Sequence, residues 1–323
     1  MKAAAIGAKG VEIRDVPVPK PGLEQVLVRV RAAGLNRADL IMASGRMHGA
    51  TGGAGAILGL ECAGDVVEVG AGVNHVKPGD RVLCSCPASY AEFALADMGR
   101  VHLIPANNMT YPQAATLPVA LQTMHNAVIT AGRMVAGEAV LIQGASSGVG
   151  LMAMQIAKAM GARLVIGSST DAERRGRLAA FGADLAIDSK DPAWPEAVLK
   201  ATDGKGVDLI VDQISGPVAN GNLKATKVLG RIVNVGRLGG FSGEFDFDTH
   251  ALRRIDYIGV TFRTRSVDEV REINRRMRSD LWPHVESGKL ALPIDRTFAL
   301  DDVAAALAHM HANAHFGKIV LTT

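Results

Sequence analysis

Residues 143–150, Gln-Gly-Ala-Ser-Ser-Gly-Val-Gly, follow directly on the apolar run 139–142 and lead into a helical pattern at 149–160. Small side chains in a tight strand-to-helix turn let an anion approach backbone N–H groups. The helix dipole favours negative charge at the same place. A further strand-like run at 164–166 completes the strand–helix–strand setting that such a loop requires. The string therefore reads as a dinucleotide phosphate loop, with Ser146, Ser147, Gly148 and Val149 as contacts and Gly150 permitting close packing of helix on strand. Ser147 stands where the usual G-x-G-x-x-G has its middle glycine, and the hydroxyls of Ser146 and Ser147 are available as donors to phosphate.

The second strand decides which dinucleotide is bound. NAD enzymes place an acid at that strand's end, roughly 20 residues after the loop, to bind the ribose 2′-OH. Here the strand ends Ile166-Gly167-Ser168-Ser169-Thr170, with no acid at its tip. A carboxylate there would repel a 2′-phosphate, whereas small hydroxyls and a nearby cation accept one. Ser168, Ser169 and Arg174, with Arg175 beside it, predict NADPH over NADH. Asp171, a few residues away, is the one feature against that reading.

These residues need a scaffold. From 139 onward, strand-like runs at 139–142, 164–166, 185–187, 207–211 and 231–235 alternate with helical segments at 149–160 and 171–181, closed by Gly161 and Gly182. That alternation predicts a doubly wound parallel sheet with helices on both faces. The first hundred residues differ. Val26 to Val30 alternates apolar and polar, 66–72 and 80–83 are further strands, and prolines and glycines punctuate them, as in an antiparallel, barrel-like domain. After Ser266 a long helix is expected, then a helix over 299–310 opened by Asp301 and a closing strand at 317–321. The expected domains are 1–115 with 285–323, and 116–284.

With 323 residues, 48% hydrophobic and 21% charged, the chain builds a sizeable core and is neither disordered nor fibrous. A net charge of +3 without charge runs points to no nucleic acid and no anionic membrane as partner. The cluster at 271–278 reads as a solvated helix face. Three cysteines, Cys62, Cys84 and Cys86, do not make a disulfide scaffold. Cys84 and Cys86 are expected to be buried small hydrophobes rather than ligands. No signal peptide and no stretch of 18 apolar residues stand in the sequence, so the cytoplasm is the expected compartment.

Residues 34–39 (Gly-Leu-Asn-Arg-Ala-Asp), 59–64 (Gly-Leu-Glu-Cys-Ala-Gly), 78–82 (Pro-Gly-Asp-Arg-Val), the phosphate loop and 317–321 together resemble the medium-chain dehydrogenase/reductase superfamily, over essentially the whole chain. Within it the chain is most similar to the zinc-free quinone oxidoreductases of the zeta-crystallin type. Residues 261–266 and the string Leu-Asn-Arg-Ala-Asp-Leu bring it near the p53-inducible quinone oxidoreductase branch. The resemblance implies a GroES-like β-rich catalytic domain plus a Rossmann domain, a homodimer paired along a sheet edge near 257–262, and NADPH as cofactor. By the same comparison, zinc alcohol dehydrogenases carry a cysteine where this chain has Asn36 and a histidine where it has Leu60. Their third ligand, a cysteine, falls near Pro118. Asparagine and leucine cannot replace thiolate and imidazole, so no metal is expected.

Without a Lewis acid, alcohol oxidation loses its route to an alkoxide, while an electron-poor acceptor still takes a hydride. The resemblance places Asn36 beside the nicotinamide ribose and substrate as the catalytic residue, and Thr123 near the nicotinamide. It sets Gly236 and Arg237 against the nicotinamide half, Phe262 and Arg263 over the carboxamide, and Phe316 and Lys318 closing on the cofactor. Related quinone reductases often carry a tyrosine shortly after the asparagine; only Tyr90, Tyr111 and Tyr257 exist here, none in that stretch. Asp39, Ser44, Arg46 and His125 are the remaining acid candidates, and solvent can protonate a reduced quinone. The expected activity is NADPH:quinone reduction. The alternative is an NADPH-dependent enoyl or alkenal double-bond reductase; a purely cofactor-binding or RNA-contacting role is the third reading.

Overall fold

The computed structural model describes residues 1–8 and 10–323. The chain divides into two compact units, Met1–Val119 with Phe262–Thr323, and Ala120–Thr261.

The first unit is built on a seven-stranded, mainly antiparallel sheet. Its strands run in the order Ile294–Ala299, Lys318–Thr322, Gln25–Gly34, Glu61–Val69, Arg81–Ser85, Val101–Leu103, with Phe93–Asp97 also paired to Gln25–Gly34. Gln25–Gly34 is the central strand, and its alternation of buried and exposed side chains in the middle matches the two-residue repeat of a strand. Its buried valines join Leu58, Val66, Val82, Tyr90, Ile319 and Leu321 in one core.

The second unit is a six-stranded parallel sheet in the order Leu185–Ile187, Leu164–Ser168, Ala139–Gln143, Val207–Asp212, Thr226–Asn234, Asp256–Gly259. This is the doubly wound order 3-2-1-4-5-6, whose ligands bind at the carboxyl ends of the strands where the order reverses. That point lies between Ala139–Gln143 and Val207–Asp212. Both strands are buried along their whole length, and both read as nearly continuous apolar runs. The fold is thus the expected pair, a GroES-like unit and a Rossmann-type parallel sheet.

Local outcomes differ from expectation in three places. The long helix forms at Val267–Glu286, with Ser266 and Glu269 capping each other's backbone N–H, but it lies in the first unit rather than ending a domain at 284. The reason is its inward face. Arg271 donates to both carboxylate oxygens of Asp97, and Asn274 and Trp282 engage His102. The basic cluster is therefore not all solvated: Arg271 is an internal tie, while Arg275 and Arg276 pair with Glu272 outside. The helix near 171–181 is two pieces, Ala172–Gly176 and a 3₁₀ turn Leu178–Phe181, broken at Gly176. The last helix starts at Val303, because Asp301 sits inside the preceding 3₁₀ turn Leu300–Asp302. Among the described residues no helix is long and apolar enough to cross a membrane.

Candidate functional site

In the second unit, Ala139–Gln143 runs into helix Gly148–Ala159 through the phosphate loop. The first N–H groups of a helix have no partner within it. Here Ser147 caps the helix: its Oγ accepts from Gly150 N at 3.1 Å, and its carbonyl accepts from Leu151 N at 2.8 Å. The N–H groups of Gly148 and Val149, in the first turn, have no partner within the helix. A side chain at Gly150 would meet Gly144 O at 2.6 Å and Ala145 Cα at 2.7 Å, so glycine there is required by the close approach of the helix to its own loop rather than to the strand.

The Ser147 hydroxyl lies within hydrogen-bonding distance of Gly144 O and Gln213 Oε1, both at 2.9 Å. Gln213 Nε2 in turn donates to Gln143 O at 3.1 Å. Gln213, at the end of Val207–Asp212, therefore bridges the two strands of the switch point and fixes the loop. Nothing local in the sequence marks Gln213; only the adjacency of strands one and four shows its role.

At the tip of the second strand the two serines part company. Ser168 is fully buried; its hydroxyl donates to Gln143 Oε1 at 2.6 Å and accepts from Gly144 N at 3.0 Å, which makes it part of the loop's support. Ser169 Oγ lies 3.1 Å from Ser146 Oγ, so these two hydroxyls face one another. The carboxylate of Asp171 caps the helix Ala172–Gly176, accepting from Arg174 N at 2.9 Å. Arg175 is tied to Ser169 O and Asp188, and Arg174 is half-buried on the same turn.

Gly236 is held by its own unit: a Cβ would meet Gln213 O at 2.7 Å, so the backbone of Gln213 already demands glycine there. Ser215, in the left-handed region at φ 60°, joins this corner by donating to Gly236 O. Arg237 is half-buried, with Nη1 3.4 Å from Val235 O. Thr123 is half-buried in helix Pro118–His125. In the first unit, Phe262 is half-buried and Arg263 exposed. Phe316 is buried, with its N–H on Asp295 Oδ1.

The first unit holds a buried polar cluster around Asn36. Lys318 Nζ donates to Leu35 O at 2.8 Å, Asn36 Oδ1 at 3.0 Å and Glu61 Oε1 at 2.5 Å, which uses all three of its protons. Asn36 Nδ2 donates to Glu61 Oε1 at 2.8 Å and, more weakly, to Gly34 O at 3.3 Å. Glu61 Oε2 accepts from Val119 N at 2.8 Å. The room for this carboxylate comes from Gly34, where a Cβ would lie 2.6 Å from Glu61 Oε1 and 2.5 Å from Ala115 O. One turn on, Asp39 Oδ2 accepts from Asn36 N and from Tyr90 Oη, both at 2.6 Å, while Oδ1 is buried without a partner. Burial pushes the Asp39 carboxyl up to about 7, against the opposing pull of Tyr90, the Asn36 N–H and Lys318. Asn36 and Lys318 are thus brought together. Glu61, Asp39 and Tyr90 are the partners the sequence reading did not connect to them, although Glu61 next to Leu60 was within reach as a buried acid that needs a cation.

Among the described residues, one group of His, Cys, Asp and Glu side chains gathers its ligand atoms as a metal site would: Cys62, Cys84 and Cys86. Cys84 and Cys86 are buried free thiols, as expected, and so is Cys62, so the three form one cluster rather than an isolated pair.

A family model described as "Alcohol dehydrogenase GroES-like domain" matches residues 22–106, and one described as "Zinc-binding dehydrogenase" matches residues 148–279. Quinone oxidoreductase of Rattus norvegicus is 30% identical over 312 residues, covering 95% of this chain and 92% of that protein. A phenolphthiocerol/phthiocerol polyketide synthase of Mycobacterium tuberculosis is 31% identical over 314 residues, 97% of this chain; the chain spans 14% of that protein's length. A crystal structure of a quinone oxidoreductase from Pseudomonas syringae pv. Tomato DC3000 superposes with a TM-score of 0.87 at 27% identity, covering 100% of both chains. Two matched domains, a relative matched over nearly its whole length and a doubly wound sheet make this chain a member of the medium-chain dehydrogenase/reductase family, with that family's NAD(P)-binding fold.

Proposed function

We propose that this protein is an NADPH-dependent, zinc-independent reductase of the zeta-crystallin type, passing hydride to a quinone or a similar electron-poor conjugated carbonyl. The observation that carries the reading is the cluster around Asn36. Asn36 and Leu60 offer neither thiolate nor imidazole, and a lysine ammonium sits among Leu35 O, Asn36 Oδ1 and Glu61 Oε1. With a fixed monovalent cation bonded on all three protons, the chain supplies no Lewis acid for making an alkoxide. An acceptor that already takes hydride readily is the chemistry left. The full-length quinone oxidoreductase relative points the same way.

The loop N–H groups of Gly148 and Val149 would hold the cofactor's diphosphate. Ser146, Ser169 and Arg174 would receive the 2′-phosphate, for which the acid-free strand end leaves room. Bound there, reduced nicotinamide supplies the hydride. Asn36 is held in one orientation by Glu61 and Lys318; its N–H toward Gly34 is the weaker bond and is the one a ligand oxygen would take. Thr123, Gly236, Arg237, Phe262, Arg263 and Phe316 complete the proposed cofactor contacts. A homodimer would form along the open edge strand Asp256–Gly259, near which Leu252 and Phe247 stand exposed.

Steady-state assays test the proposal. NADPH oxidation with 1,4-benzoquinone or phenanthrenequinone, faster than with NADH, is expected. Turnover only with crotonyl thioesters or alkenals would favour the second reading, a double-bond reductase, which the match within a polyketide synthase supports. Tight NADPH binding without any turnover would sink both.

A further inference from the structure

The Sγ atoms of Cys62, Cys84 and Cys86 lie 3.4, 3.7 and 3.9 Å apart. Strand pairing sets them there. Cys62 on Glu61–Val69 is the cross-strand partner of Cys84 on Arg81–Ser85, and Cys86, two residues on, shares the face of Cys84. All three sulfurs surround one point, in a core where the residues are 0%, 0% and 1% exposed.

The spacing suits one atom bonded to all three. Bonds of about 2.3 Å at tetrahedral angles, as around zinc, put sulfurs roughly 3.8 Å apart. Charge then selects the occupant. Zinc on three thiolates carries a net negative charge and an open fourth position. The cluster sits in an apolar core with the Glu61 carboxylate one residue from Cys62 and the single Arg100 guanidinium near enough to act on Cys86, and no fourth ligand atom joins it among the described residues. A trivalent centre on three thiolates is neutral and needs no fourth ligand. A disulfide is the poorer outcome. Cys86 N donates to Leu60 O, so by the alternation of the ladder Cys62 and Cys84 occupy a hydrogen-bonded pair, where side chains stand farther apart.

We propose that Cys62, Cys84 and Cys86 form a three-thiol binding site for a trivalent, thiophilic metalloid of the arsenite class. The step balances without redox change. Three As–S bonds replace the three As–O bonds of As(OH)₃, and the three thiol protons leave with the hydroxides as three waters. No charge is buried. Arg81–Ser85 lies between Glu61–Val69 and the three-residue edge strand Val101–Leu103, one strand in from the edge of the sheet. The site is independent of the proposed quinone chemistry.

The test uses the full chain, reduced with a phosphine rather than a competing dithiol, then incubated with sodium arsenite or refolded in its presence. Native mass spectrometry is expected to show a 1:1 mass gain of one arsenic less three hydrogens, with a higher thermal midpoint. Cys62→Ser, Cys84→Ser and Cys86→Ser should each bind at least tenfold more weakly and retain one hydroxyl on the arsenic. Circular dichroism would confirm that each variant is folded. The proposal is overturned by no uptake even on refolding, by a hydroxyl-retaining adduct in the unsubstituted protein, by equal uptake in the triple variant, or by zinc displacing arsenite in competition.

Discussion

Lys318 Nζ and Glu61 Oε1 are 2.5 Å apart, with the two side chains 5% and 0% exposed. Their strands, Lys318–Thr322 and Glu61–Val69, flank the central strand Gln25–Gly34, so the pair closes over the end of that strand at Gly34. A charge pair this buried is held by its bonds as much as by attraction. Breaking one side strands the other.

Lys318→Met should accordingly destabilise the protein by about 3–5 kcal/mol, since it leaves a buried, unpaired carboxylate. Adding Glu61→Gln should recover part of the loss. Urea unfolding of the two single variants and the double variant measures the coupling; additive effects would show that the pair is not a unit.

Asp39 sets a pH dependence. Its carboxyl is raised to about 7 by burial, from an unfolded value near 3.9. Between those values the folded state keeps a proton that the unfolded chain releases, so stability falls as pH rises across that range. The loss is on the order of 4 kcal/mol for a three-unit shift. Asp39→Asn should flatten this slope; thermal midpoints of both proteins from pH 4 to 8 would show it, and parallel curves would refute it.

Arg174→Ala should lower kcat/KM for NADPH by roughly 10- to 100-fold, the worth of a charged hydrogen bond, and leave NADH nearly unchanged. Equal losses with both dinucleotides would remove Arg174 from the 2′-phosphate site.

Ser147→Ala removes a helix cap and the link to Gln213, and should cost about 1 kcal/mol in stability. Dinucleotide affinity, read by fluorescence titration, should drop with it, because the loop is no longer fixed to the switch point. Unchanged affinity would mean the loop is held without the serine.

Dialysis against a chelator should leave kcat with a quinone unchanged, and added zinc should not raise it. A loss restored by zinc would contradict the proposed role of the Asn36, Glu61 and Lys318 cluster.

Much of this protein was legible in the chain alone. The phosphate loop, its strand and helix, and the period change near residue 116 are local patterns, and local spacing determines them. So are the long helix after Ser266 and Gly182 as a left-handed stop. The tertiary structure decided everything that depends on which strands are neighbours. Gln213 reaches the loop because strands one and four adjoin, Ser168 turns inward to Gln143, and helix Val267–Glu286 belongs with Asp97 and His102 in the first unit. The family resemblance placed Lys318 at the cofactor, but its sequence neighbours say nothing of its bond to Glu61, 257 positions away. Cys84 and Cys86 read as a lone pair until sheet register brought Cys62 across from them. A buried charge or thiol takes its meaning from its partner, and here the partner comes from a distant strand.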